Sequence, residues 1–200
     1  MRLDRLARMM VAGCVFALSA MTATAGDAER GRSLAYTCMG CHGIENYKNA
    51  YPKYSVPKLG GQNPAYVVAA LGEYRAGNRW HPTMQGLAST LSDEDRADLA
   101  AWFASVAEAK PGAKLVGTPP AKAEACTACH GQNGAGTMDE YPDIGGQHSD
   151  YLAQALNDYR LGKRKNAIMA PFAQQLTRED IAALAAYFSK QPGLVTPELR

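Results

Sequence analysis

Four cysteines and two histidines carry the first chemical signal in the 200-residue sequence. Cys38-Met39-Gly40-Cys41-His42 recurs 88 residues later as Cys126-Thr127-Ala128-Cys129-His130. C-x-x-C-H is the attachment pattern for c-type haem. Two thiols three positions apart reach the two vinyl groups on one porphyrin edge, and the adjacent histidine comes beneath the iron. Cys38, Cys41, Cys126 and Cys129 are therefore the expected covalent anchors of two haem c groups, and His42 and His130 the expected axial ligands. Other uses of the thiols are two local disulfides, suited to an oxidising compartment, or one shared zinc, which would leave both histidines spare. Thioredoxin-like redox pairs are a third, but no βαβ pattern surrounds the motifs.

The opposite face of each iron needs its own ligand. The remaining histidines, His81 and His148, align with Asn166 and Asn63 and so do not repeat. Met84 and Met169 do repeat, 42 and 39 residues after their motif histidines, each in what reads as a short loop before the last helix. Met39 sits inside a motif, and Met138 has no counterpart in the first copy. A repeated methionine is often core packing, but this position favours ligation. His/Met coordination raises the haem potential. It also fills both axial positions, which favours electron carriage over catalysis.

The elements that position these residues come from a tandem duplication. Gly60-Gly61-Gln62 recurs as Gly145-Gly146-Gln147, 85 residues on. From there the register is gapless: Tyr66, Tyr74, Arg75, Arg79 and Met84 match Tyr151, Tyr159, Arg160, Arg164 and Met169. Three extra residues lie in the first copy between His42 and Pro57. Val67, Ala70, Leu71 and Tyr74 stand at i, i+3, i+4 and i+7, one helix face, and Leu152, Ala155, Leu156 and Tyr159 repeat it. Pro64 suits the opening of the first such helix. The last helix of each copy opens at Ser92 or Thr177 with Asp95 or Asp180 three residues on, a capping box with Asp for Glu. Leu99, Trp102, Phe103 and Val106 form one buried stripe; Ile181, Leu184, Tyr187 and Phe188 form the other. No alternating strand pattern is present. The expected fold is all-α, two tandem domains at 26–110 and 121–200 joined by a Pro/Gly-rich linker at 111–120.

Composition sets the outer limits. Hydrophobic residues make up 46% and charged residues 20%, enough to bury a core. With 21 basic and 19 acidic side chains, a strongly basic nucleic-acid binder is excluded. Only four Phe and two Trp are present, and two porphyrins would supply the missing apolar bulk. Residues 1–25 read as a cleavable export signal. Arg2, Arg5 and Arg8 precede an apolar run from Met9 to Met21, and Ala23-Thr24-Ala25 offers the cleavage site. Cys14 falls inside that run, which argues against a lipoprotein box. The run is also short for a membrane span. The segment holds three Arg and one Asp, so its removal leaves eighteen charges of each sign.

The two motifs, the GGQ turns, the Y-R-x-G-x-R segments and the paired methionines resemble the class I cytochromes c, specifically the dihaem cytochrome c4 family, over the whole mature chain. The resemblance implies two cytochrome c folds about a pseudo-twofold axis, with haem propionates near the domain interface. It also implies that Pro57 and Pro142, just before each GGQ, offer carbonyls to the ring N–H groups of the axial histidines. Tyr74, Arg75, Arg79, Tyr159, Arg160 and Arg164 become candidates for propionate contacts or an interdomain network, since Arg matches carboxylate geometry. Lys163-Arg164-Lys165 is a basic run without a full counterpart. Trp102 against Tyr187 is the visible departure from symmetry.

The expected function is a periplasmic electron shuttle and not an enzyme. It would run between a quinol-oxidising complex or dehydrogenase and a terminal oxidase or reductase, through transient contacts at the periplasmic membrane face. No nucleic acid and no small-molecule substrate at iron are expected, and the chain should be monomeric or loosely membrane-associated. The alternatives are a cytochrome subunit of a larger redox enzyme, or a dihaem peroxidase or thiosulfate-oxidising enzyme.

Overall fold

A computed structural model describes residues 26–108 and 112–198. The expected export signal, with Cys14, lies outside the described residues. The first half holds α1 (Ala28–Leu34), α2 (Tyr36–His42), α3 (Pro64–Arg75), α4 (Pro82–Ser89) and α5 (Asp93–Ser105). The second holds α6 (Glu124–His130), α7 (Ser149–Arg160), α8 (Met169–Gln174) and α9 (Arg178–Phe188), with a single 3₁₀ turn at Ala121–Ala123 where the first half has α1. Among the described residues the extended contacts are three isolated bridges, Lys48 to Ser55, Gly60 to Val195 and Arg79 to Arg164. The described residues form two tandem helical domains.

Each half has its own core. In the first, Val67 of α3 packs with Leu99, Trp102 and Phe103 of α5; in the second, Leu152 of α7 packs with Leu184, Tyr187 and Phe188 of α9. Both capping boxes form, Ser92 with Asp95 and Thr177 with Asp180, and fix where α5 and α9 begin. Val106 lies just past the end of α5 and is half-buried against the core. The Trp102/Tyr187 difference has a local cause. The Tyr187 hydroxyl donates to the Gln132 carbonyl at 3.1 Å, a bond that an indole at this position would not reproduce.

The first half carries an additional clamp. Asp27 caps α1 by accepting from the Glu29 and Arg30 amides. Buried Asp98 of α5 accepts from the Asp27 amide at 2.6 Å and from the Arg30 guanidinium. Gly31 lets α1 lie directly on α5: a β-carbon there would sit 2.0 Å from the Asp98 carbonyl oxygen.

Met84 and Met169 stand within short helices, where the sequence suggested loops. Pro82 occupies the first turn of α4, whose N-cap is His81. Met169 opens α8, and the Asn166 side chain accepts from both the Ile168 and Met169 amides. Segments of six and eight residues are too short to display a helical period.

Candidate haem site

α2 and α6 each end at the motif histidine, which places the imidazole on the domain's inner wall. His42 Nδ1 lies 2.8 Å from the Pro57 carbonyl oxygen, and His130 Nδ1 lies 2.9 Å from that of Pro142. A carbonyl can only accept, so Nδ1 carries the proton in both rings and Nε2 keeps its lone pair. Burial lowers the His42 pKa to about 4, against the opposing pull of the Pro57 bond, and lowers His130 for the same reason. Both rings are therefore neutral at physiological pH, the form that ligates a metal.

A cavity of about 710 Å³ runs through both halves. Cys38, Cys41, His42 and Met84 line it from the first domain, and Cys126, His130 and Met169 from the second. Leu99, Phe103, Leu184 and Phe188 supply much of its apolar wall. Cys129 is not on that lining; it neighbours Tyr141 and raises the pKa of that hydroxyl. The four described thiols are unbridged, and burial raises those of Cys38 and Cys126. Among the described residues no three His, Cys, Asp or Glu side chains gather in a metal-binding cluster, so the thiols do not surround one shared ion. An apolar slot with a neutral imidazole and a thioether in each half, lined by both motif thiols in the first half and by Cys126 in the second, fits a flat apolar macrocycle held by His/Met ligands and covalent tethers.

Each methionine is held at its backbone. The Met84 amide donates to His81 Nδ1 at 3.3 Å, while His81 Nε2 meets Asn49 Oδ1 at 3.1 Å. The Met169 amide donates to Asn166 Oδ1 at 2.9 Å. His81 and Asn166 occupy one aligned position and do the same work with different chemistry, which is why matching identical residues passed over them.

Between the domains, repeated residues meet in exchanged pairs. Arg79 donates to the Tyr151 hydroxyl, and Arg164 donates to that of Tyr66 at 2.8 Å. Arg79 lies 4.4 Å above the Tyr74 ring and Arg164 lies 4.5 Å above that of Tyr159, cation–π contacts at matching positions. Burial by itself would raise the Tyr66 pKa; the Arg164 and Arg79 charges outweigh it and bring it to about 8. Four of the sequence candidates, Tyr74, Arg79, Tyr159 and Arg164, thus converge on the cavity wall. Arg75 and Arg160 do not line it. Arg75 pairs with Asp93 at 3.7 Å, and Arg160 bonds the Leu176 carbonyl and Asn157. Tyr66 and Tyr151 were not singled out from sequence, although both lie in the gapless register. The basic run is split by the fold: Arg164 is 5% exposed while Lys163 and Lys165 face solvent.

Comparisons with known proteins agree with this geometry. The cytochrome c family model matches residues 28–107 and again 109–191. A cytochrome c4 of Pseudomonas aeruginosa is 36% identical over 190 residues, covering 85% of this chain and 91% of that protein. A thiosulfate dehydrogenase electron acceptor of Stutzerimonas stutzeri is 31% identical over 202 residues, covering 90% and 93%. The crystal structure of reduced recombinant cytochrome c4 from Pseudomonas stutzeri superposes with a TM-score of 0.66 at 33% identity, over 84% of this chain and 100% of that one. Two tandem copies of one fold, each with its own C-x-x-C-H, place the chain in the dihaem cytochrome c4 family, electron carriers with two covalently attached haem c groups.

Proposed function

We propose that the chain shuttles electrons in the periplasm between a respiratory donor and a terminal oxidase or reductase, through two haems ligated by His42 with Met84 and by His130 with Met169. The observation that supports this most directly is the matched lining of the cavity. Each half presents a neutral imidazole locked to a proline carbonyl and a methionine held by its backbone amide. When bound, each haem supplies reversible one-electron chemistry at its iron. The protein's own part would be to tether the group through Cys38, Cys41, Cys126 and Cys129, to ligate its iron through His42, Met84, His130 and Met169, and to exclude water. Pro57 and Pro142 orient the axial rings. Arg79 and Arg164 take the propionates: both guanidiniums are buried on the cavity wall, and Arg164 Nε has no partner there, so a cofactor carboxylate would complete it.

Export by the 1–25 segment would place the chain where covalent haem attachment occurs. The domain division expected at 26–110 and 121–200 belongs to this reading. Among the described residues no helix is long and apolar enough to cross a membrane. The relative that is named as a thiosulfate dehydrogenase electron acceptor supports a second reading of the donor, in which a thiosulfate dehydrogenase feeds the haems.

The test is an optical spectrum of the purified exported protein, oxidised and reduced, with haem counted per chain. Two haems, the far-red methionine-to-iron band at full strength for both, and no carbon monoxide binding to the reduced form support the carrier. A half-strength band, or ready carbon monoxide binding, removes Met84 or Met169 as a ligand and moves an enzymatic role forward.

A further inference from the structure

The glutamines of the two GGQ turns are among the most buried polar side chains in the molecule, Gln62 at 4% exposure and Gln147 at 3%. Neither serves its own domain alone. Gln147 Oε1 accepts from the Lys58 amide at 3.0 Å and its Nε2 donates to the Lys58 carbonyl at 3.0 Å. Gln62 Oε1 accepts from the Asp143 amide at 2.9 Å and its Nε2 donates to the Asp143 carbonyl at 3.0 Å. Each carboxamide also accepts from the next amide of its own chain segment, Asn63 at 2.8 Å and His148 at 3.0 Å. A side-chain amide that pairs with both polar groups of one residue copies the two-bond exchange of an antiparallel ladder, and so fixes that residue in position and orientation.

The residues gripped are not arbitrary. The Lys58 amide belongs to the same planar peptide group as the Pro57 carbonyl that accepts from His42. The Asp143 amide likewise shares its plane with the Pro142 carbonyl that accepts from His130. Each peptide plane is therefore bonded at both ends, by an imidazole of its own domain and by a glutamine of the other. Hydrogen bonds in such a chain polarise one another: the glutamine oxygen draws on the peptide N–H and makes the carbonyl a better acceptor. A better acceptor for Nδ1–H raises the electron-donating power of Nε2.

We propose that Gln147 positions and polarises the support of His42, and Gln62 that of His130, so that each domain tunes the other domain's haem. This rests on the reading of His42 and His130 as axial ligands. The test uses the full dihaem protein and the near-isosteric changes Gln147→Met and Gln62→Met. Both reduction potentials are measured by spectroelectrochemistry and assigned to their domains through the shifted haem-methyl resonances. Gln147→Met is expected to raise the potential of the N-terminal haem and leave the other in place; Gln62→Met does the reverse. Gln147→Glu, which retains an acceptor oxygen, should return the N-terminal potential to or below its native value. Hydrogen exchange at the Lys58 and Asp143 amides should quicken in the matching Met variant. Potentials that move together, move within the mutated domain, or do not move would overturn the proposal and leave the glutamines as interdomain fasteners. Haem count and the far-red band, recorded for every variant, report separately on the carrier reading.

Discussion

Replacing Gly31 with alanine should lever α1 off α5, and the size of the effect follows from contacts at that crossing. The added β-carbon would lie 2.0 Å from the Asp98 carbonyl oxygen, 2.5 Å from its carbon and 3.0 Å from Trp102 Cβ. Ordinary contact begins near 3.4 Å, and the two closest atoms are backbone, which cannot rotate away. The helices must part by more than an ångström. Overpacking of this kind costs about 1–3 kcal/mol. Parting also strains the 2.6 Å bond between the Asp27 amide and Asp98, a charge-assisted contact worth about 1.5–3 kcal/mol. Alanine returns about 1 kcal/mol in helix propensity. The net loss is about 1.5–5 kcal/mol, and at roughly 2–4 °C per kcal/mol for a chain of this size the melting midpoint falls by at least about 3 °C. The control is Gly86→Ala in α4, where a β-carbon meets nothing within 4 Å. There the same substitution should raise the midpoint by about 2–4 °C. Thermal melts followed by far-ultraviolet circular dichroism, at two haems per chain, decide it. A Gly31→Ala protein that melts with or above the parent, or two variants that shift in the same direction, would refute the reasoning.

Three further outcomes follow from the same contacts. Asp98→Asn keeps the shape but removes the charge that holds the Asp27 amide and Arg30, and should cost about 1.5–3 kcal/mol by urea titration; no change would mean that packing alone seats α1. Ser92→Ala and Thr177→Ala should each cost about 1 kcal/mol by loss of an N-cap, and the double variant should show their sum, because the caps lie in separate domains. Asp150 accepts from Lys48 at 2.5 Å and from Ser55. Against burial, which raises its pKa, those bonds bring it below the ordinary 3.8. Its hold on the 47–56 loop is then complete above pH 3.8 and fades as the pH falls below that value. The Ser55 amide, corrected for intrinsic exchange rates, should lose protection in that acid window, and Asp150→Asn should show the loss at neutral pH; equal protection throughout would free Asp150 from this role.

Much of the site was legible because its signals are short-range. A C-x-x-C-H, a capping box and a four-position helical face are each complete within eight residues, and duplication supplied a second reading of each. Repetition was a poorer guide to direction. Arg75 and Arg79 are both repeated, yet only Arg79 and its counterpart Arg164 reach the cavity, because Arg75 ends the helix and three residues then carry the chain to the extended bridge at Arg79. Shared function without shared identity was also missed. His81 and Asn166 both accept from a methionine amide, and a search for repeated residues discards such a pair. The 47–56 loop was visible as three extra residues, but its anchor, Asp150, lies about a hundred positions away.

The interface was the hardest part to foresee, although nearly every residue that builds it had been aligned. Gln62 with Gln147, Tyr66 with Tyr151 and Arg79 with Arg164 are pairs in the register, and each side chain finds its partner in the opposite domain. A duplicated domain that meets its copy across a pseudo-twofold axis can do this economically, because one residue type used once per copy satisfies both sides, as in an isologous dimer. Contacts that break the symmetry have a different character. Lys48 to Asp150, Lys58 to the Gly146 carbonyl, and the Gly60–Val195 bridge join unlike residues. They suit fastening, since each exists once. The exchanged pairs, by contrast, are mostly buried, polar and satisfied only when both domains are present. A single domain would expose Gln62 or Gln147 and leave Arg79 or Arg164 without the tyrosine hydroxyl of the other copy, so the second copy completes the first domain's surroundings as well as adding another haem.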